Sequence, residues 1–264
     1  MALPLRDDLA PRRFPWVTLA LFAINVVVFL FVQPSAFQNP PEDYTAAETT
    51  RAVQATEFAL RWGAVSCELH AGEPLAERPQ QCDDGLGDPL PANKSVYLAL
   101  LTCMFLHGST AHLAGNMLFL WVFGNNVEDR LGPVRYLALY LLGGVAATLG
   151  YAAVNAHAAV PLIGASGAIA AVMGAYLVLF PRGRILTAIA TAAFQVVYVP
   201  AAVVLVLFFV TQFLTPDNEV AWEAHVAGMV AGFLAALVLA RLPSVRRRAE
   251  LDRVDIALRR GAAF

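Results

Sequence analysis

The chain has 264 residues, of which 58% are hydrophobic and 14% charged, with a mean hydropathy of +0.60 and a formal net charge of −2. Soluble domains carry about 45–50% apolar and about 25% charged residues, so this composition excludes an ordinary water-soluble globule and fits a bilayer protein. The net charge says nothing by itself about partners, because the charges are sorted by segment, and no nucleotide, phosphate-loop or nucleic-acid motif appears.

Residues 1–15 are polar, with Arg6, Arg12 and Arg13 ahead of Trp16. Residues 16–33 are apolar, interrupted by Thr18 and Asn25, and about 18 such residues suffice to span the hydrocarbon core. The run lacks a clear small-residue cleavage site, which favours an uncleaved first helix over a signal peptide. Residues 34–95 form a hydrophilic insertion with ten acidic residues against Arg51, Arg61, Arg78 and Lys94. An amphipathic helix is expected within 44–62, and none in the proline-bearing stretch 71–93.

Five further apolar segments follow, near 109–127, 133–154, 164–180, 198–214 and 220–242. Polar breaks fall at Asn125 to Arg130, around Asn155 and His157, at Pro181 to Arg184, and at Thr215 to Glu219. Residues 96–108 and 185–197 are apolar but surplus to the spans, and read as interfacial or re-entrant pieces. The tail, 243–264, is rich in arginine and reads as a solvated helix or a disordered segment.

Cytoplasmic loops carry excess Lys and Arg. Six spans with both termini inside put fourteen of the eighteen basic residues on the cytoplasmic side, the other four lying in the acidic insertion. The expectation is an all-α polytopic protein of six transmembrane helices with a large external loop between the first two. An external insertion also exposes Cys67 and Cys82 to oxidation; a disulfide and two free thiols both remain open.

Ionisable groups at membrane depth usually mark function. His112 and Asn116 are four residues apart and project from one helix face behind the capping candidates Ser109 and Thr110. Ser166 stands among Gly164, Gly167 and Gly174, and His225 precedes Gly228 and Gly232. Taken singly, each reads equally well or better as interhelical packing or hydrogen bonding. Spans two, four and six, however, all enter from the outside, and His112, Ser166 and His225 each lie within a few residues of that end. At about 1.5 Å rise per residue they share one depth, which suggests a Ser–His pair.

These motifs resemble the rhomboid family of intramembrane serine proteases. Phe105-Leu-His107 with His112-xxx-Asn116, Gly164-Ala-Ser166-Gly167, and Ala224-His225-xx-Gly228-xxx-Gly232 stand in the family's order on its second, fourth and sixth helices. The resemblance covers about 96–242, plus the first span by topology. It implies a catalytic dyad of Ser166 as nucleophile and His225 as general base, with no acidic third member. An oxyanion site of His112, Asn116 and the backbone at Ser166 belongs to the same implication. Gly164, Gly167, Gly228, Gly232 and His107 are the structural residues near the site; Gly164 and Gly167 are expected to leave space around Ser166 while Gly174 packs. Many members carry an aromatic residue four positions after the serine, where this chain has Ala170.

The expected substrates are membrane helices, cut near their external ends, with the fifth span and the loop 215–219 as gate and lid. The bilayer is the other partner, no metal or cofactor is expected, and the location is an integral protein of a bacterial inner membrane with cytoplasmic termini. Nothing in the sequence specifies an oligomeric state. Two other readings compete. A non-catalytic rhomboid-like protein that escorts membrane clients would typically lack the serine or histidine. A transporter would show mid-span charges or an internal repeat, and neither is present.

Overall fold

A computed structural model describes residues 2–9, 11–38, 46–77, 82, 93–190, 194–214 and 221–251. The chain opens with strand β1 (Ala2–Asp7) and helix α1 (Trp16–Val27), which runs on as a π turn through Val32. The hydrophilic insertion carries α2 (Ala46–Trp62), the two-residue strand β2 (Ala64–Val65) and α3 (Ser66–Ala71). Then come α4 (Val96–Thr102), α5 (Thr110–Leu131), α6 (Pro133–Val154), the short strand β3 (Pro161–Leu162) and α7 (Ser166–Leu179). Strands β4 (Arg184–Ala190) and β5 (Phe194–Pro200) lead into α8 (Ala201–Leu214), and α9 (Trp222–Leu239) follows, with residues 243–251 also helical.

Among the described residues two helices, Pro133–Val154 and Trp222–Leu239, are long and apolar enough to cross a membrane, and Val96–Phe105 with Thr110–Leu131 form a pair bent by 81°. The apolar helices Trp16–Val32, Ser166–Leu179 and Ala201–Thr211 are shorter. The core gathers on α7. Its residues Gly167 to Tyr176 are all buried, against α5, α6 and α9. At about 1.5 Å per residue it is about 21 Å long, less than the ~30 Å hydrocarbon core, and protein rather than lipid surrounds it. Small residues permit this packing. A Cβ on Gly174 would stand 2.9 Å from the Met229 carbonyl carbon, one on Gly228 3.2 Å from that of Gly167, and one on Gly232 2.6 Å from Ala171 Cα.

Two departures from the sequence reading concern the end of the bundle away from Ser166. The chain is not all-α: β1, β4 and β5 form an antiparallel sheet in that order, with Asp7 opposite Ile185 and Arg184 opposite Pro200. The surplus stretch 185–197 is therefore mostly strand, since its β-branched and aromatic residues suit a pleated surface. Nor is Asn125 to Arg130 a break, because α5 continues to Leu131 and stops at Gly132, whose φ is +85°. Pro133 then opens α6 at its first position. The polar residues of that last turn are buried because they serve other helix ends. The Glu128 carboxylate accepts from the Val17 and Thr18 N–H groups at 2.9 and 2.8 Å, and from the Thr18 hydroxyl at 2.7 Å. These are N–H groups that α1 cannot satisfy itself. Arg130 donates to the Leu179 carbonyl at 3.0 Å, closing the far end of α7. The lid expected at 215–219 lies outside the described residues.

Asp7 ties the sheet to the bundle. Its carboxylate accepts from Asn126 Nδ2 at 2.9 Å, from the Leu9 N–H at 2.9 Å and from the Tyr176 hydroxyl. Burial is the largest influence on its carboxyl and raises it from 3.8 to about 7, against the lowering effect of the Tyr176 and Leu9 hydrogen bonds. A raised acid favours the folded state where it is protonated. The contribution of Asp7 is full below about pH 4 and is lost as pH rises through about 7. Amide exchange in β1, corrected for its intrinsic pH dependence, is expected to be slower at about pH 5 than at about pH 8, and Asp7→Asn should flatten that difference.

Candidate active site

Ser166 is the first residue of α7, and the chain reaches it through Gly164 at φ +136°. That conformation, rare for other residues, presses the loop onto His112. A Cβ at Gly164 would lie 2.9 Å from His112 Cε1 and 3.5 Å from Ser166 Oγ. The Gly164 N–H donates to the Cys103 carbonyl at 2.9 Å, which fixes the height of the loop. No side chain caps the start of α7, so its first-turn N–H groups have no acceptor within the helix.

His112 sits in the first turn of α5, where Ser109 caps the helix by accepting from the His112 N–H at 3.1 Å. Its Nδ1 accepts from the Gly108 N–H at 3.3 Å. In a neutral ring the proton then rests on Nε2, on the side of Gly164. Asn116, one turn on, is buried, and its amide nitrogen has no hydrogen-bond partner among the described residues. His225 is buried in the first turn of α9. The ring beside it is Phe208 of α8, with centroids 6.2 Å apart, and Phe208 also meets Phe119 of α5 at 4.9 Å.

Ser166, His225, His112 and Asn116 all line one cavity of about 1000 Å³. Gly164 and Gly167 line it too, but Gly167 is not surrounded by open space: a Cβ there would stand 2.6 Å from Ala147 Cβ, so it also packs α7 on α6. Gly228 and Gly232 lie outside the cavity, in the α7–α9 contact. His107 is behind the wall, fully buried, its ring 5.2 Å from that of His112 and 6.5 Å from that of Phe29. Gln33 holds the His107 backbone at both ends, donating to its carbonyl and accepting from its N–H, each at 2.9 Å. Ala170 is buried in α7 away from this wall. Sequence reading missed Phe208 because it looked for an aromatic on α7; only the fold brings α8 to that position. No cluster of three or more metal-ligating side chains occurs among the described residues.

The insertion braces the loop that precedes Ser166. Ala64 pairs with Leu162 and Val65 with Pro161, and the Cys67 N–H donates to the Ala158 carbonyl at 3.2 Å. Behind this strap Cys67 and Cys82 are joined with their Cα atoms 5.2 Å apart, and Lys94 forms a buried ion pair with Glu68.

The Rhomboid domain is matched over residues 94–242. The chain belongs to the rhomboid family. It is 34% identical over 142 residues to the "Rhomboid protease GluP" of Bacillus subtilis, covering 53% of this chain and 25% of that protein. It is 37% identical over 97 residues to the bovine "Presenilin-associated rhomboid-like protein, mitochondrial", covering 36% and 26%. With the "RHOMBOID-like protein 5" of Arabidopsis thaliana the identity is 32% over 146 residues, covering 54% and 44%. The matches thus span from a quarter to under half of the relatives' own length. All four cavity residues named above fall inside the rhomboid match, and the rhomboid domain with its apolar helices makes this an integral membrane protein.

Proposed function

We propose that this rhomboid protein is an intramembrane serine endopeptidase that uses a Ser166–His225 dyad. What carries the reading is that Ser166, His225, His112 and Asn116 line a single cavity at the uncapped start of a short buried helix. His225, as neutral imidazole, takes the Ser166 proton as the hydroxyl oxygen bonds to the substrate carbonyl carbon, then gives it to the departing amine nitrogen. The ester left on Ser166 is cleaved by water, again through His225. Negative charge on the carbonyl oxygen is met by the first-turn N–H groups of α7, by Asn116 Nδ2 and by His112 Nε2–H. Each such donor is worth about 3–4 kcal/mol in the transition state.

A peptide inside a helix buries its carbonyl in hydrogen bonds, so the substrate must unwind before it is cut. The substrates of this reading are membrane-protein segments that do so near their outer ends. The shortness of α7 supports it: water can reach Ser166 through the cavity although the residue sits below the outer boundary of the hydrocarbon. We read α1, α5, α6, α7, α8 and α9 as six spans with both termini cytoplasmic, in an inner membrane, which the arginine bias supports. In that orientation the sheet is cytoplasmic, the insertion 34–95 is external, and α8 with Phe208 is the side of the cavity that opens to substrate.

The test uses the purified protein. A fluorophosphonate is expected to label Ser166 alone, and a model transmembrane substrate to be cut; labelling elsewhere with Ser166 untouched would overturn the mechanism. The Cys67–Cys82 bond is also part of this reading. Mass spectrometry of protein alkylated in intact membranes, without reductant, is expected to find the two peptides linked, and two alkylated thiols would exclude the bond.

A further inference from the structure

Among its described lining residues the cavity has one carboxylate that the mechanism does not use. Glu223 lines it together with His225, but it stands two residues earlier on α9, so the two side chains leave the helix on different sides. Glu223 therefore faces α6, where its Oε1 accepts from Asn155 Nδ2 at 3.3 Å. Asn155 is itself held by donating to the Tyr151 carbonyl at 3.2 Å. Oε2 of Glu223 accepts no hydrogen bond from a described residue. Among the described lining residues Glu223 is the only Asp, Glu, Lys or Arg. It is half-buried and stands in the first turn of α9.

A carboxylate in a peptide-binding cavity whose described lining is otherwise free of Asp, Glu, Lys and Arg is a selective feature. A substrate segment entering with Lys or Arg would leave that cation poorly solvated at membrane depth unless an anion met it. The long stem of either residue packs along apolar wall while its charged end reaches outward, and Asn155 holds the carboxylate ready. The outer flanks of membrane helices are poor in Lys and Arg, so such a contact would single out a minority of segments. A carboxylate serving only the start of α9 would confer no such preference.

We propose that Glu223 is a specificity-determining residue that receives a Lys or Arg side chain of the substrate segment in the cavity. The proposal rests on the endopeptidase reading. Its test is a set of model transmembrane substrates in which Met, Lys or Glu is placed in turn at each of about five positions on either side of the cleaved bond. Each rate is normalised to the fluorophosphonate labelling rate of the same variant, so that a loss of folded protein cancels. At one or more positions Lys is expected to raise kcat/KM over Met by about fivefold, most of it in KM, with the gain shrinking as salt screens the pair. Glu223→Gln is expected to erase the Lys preference, and Glu223→Lys to transfer it to the Glu-bearing substrate. Wild-type protein that cuts the Met substrate with no gain from Lys anywhere overturns the proposal and leaves the endopeptidase reading standing. A Lys gain that survives Glu223→Gln does the same. Wild-type protein that cuts none of the substrates overturns both.

Discussion

Ser166→Ala is expected to lower cleavage of a transmembrane substrate by about 10⁴-fold or more, with thermal unfolding in detergent little changed. The hydroxyl is small and already faces a cavity, so its removal opens no new void in the core. His225→Ala should cost as much, and the double variant no more than either alone, because nucleophile and base act in one step. Asn116→Ala should be milder, about 10²- to 10³-fold in kcat, because the α7 N–H groups and His112 remain. The measurement is cleavage in proteoliposomes, quantified against fluorophosphonate-competent enzyme for wild type and against folded protein for the variants. Cleavage that persists in Ser166→Ala would sink the dyad.

Lys94→Ala is expected to be the most destabilising single change outside the helix bundle, by about 3–5 kcal/mol. Lys94 and Glu68 have side chains 0% and 1% exposed, and Glu68 also accepts from the Leu75 N–H at 2.8 Å. Burial lowers the Lys94 ammonium, and Glu68 counters that shift. Truncating the lysine strands a carboxylate where water cannot reach it. Replacing both by apolar residues of similar size, Glu68→Leu with Lys94→Met, should restore most of the loss. Heat inactivation of the four proteins in one detergent closes the double-mutant cycle. Because Cys67 adjoins Glu68 and holds Ala158, Lys94→Ala should also slow fluorophosphonate labelling of Ser166; unchanged labelling in a protein of normal stability would contradict the bracing role of the insertion.

The helical scaffold was legible where apolar length alone decides. Residues 133–154 are helical as read, and α2 falls within 44–62. His112, Ser166 and His225, expected from the sequence to share one depth, line one cavity, each from the first turn of its helix. What was hidden depends on partners far away in the chain. Glu128 and Arg130 look like a solvated break until α1 and α7 bring their uncapped ends to them. Strand β1 is six residues with a proline, too short to announce itself, and its partner β4 begins at Arg184. Phe208 was hidden for a similar reason: nothing in the local sequence of α8 says that it meets His225.

The pairing of β1 with β4 imposes an order of assembly. Strand β1 can only find its place after α7 and the β4–β5 hairpin have been made, some 180 residues later. Until then Asp7 lacks Tyr176, and the start of α1 lacks Glu128 through the synthesis of α2 to α4. Strand β1 therefore works as a closing clasp: it seals the end of the bundle away from Ser166 only when α7 is already seated. A chain truncated ahead of the hairpin keeps β1 unpaired, a state that limited proteolysis would distinguish from the finished protein.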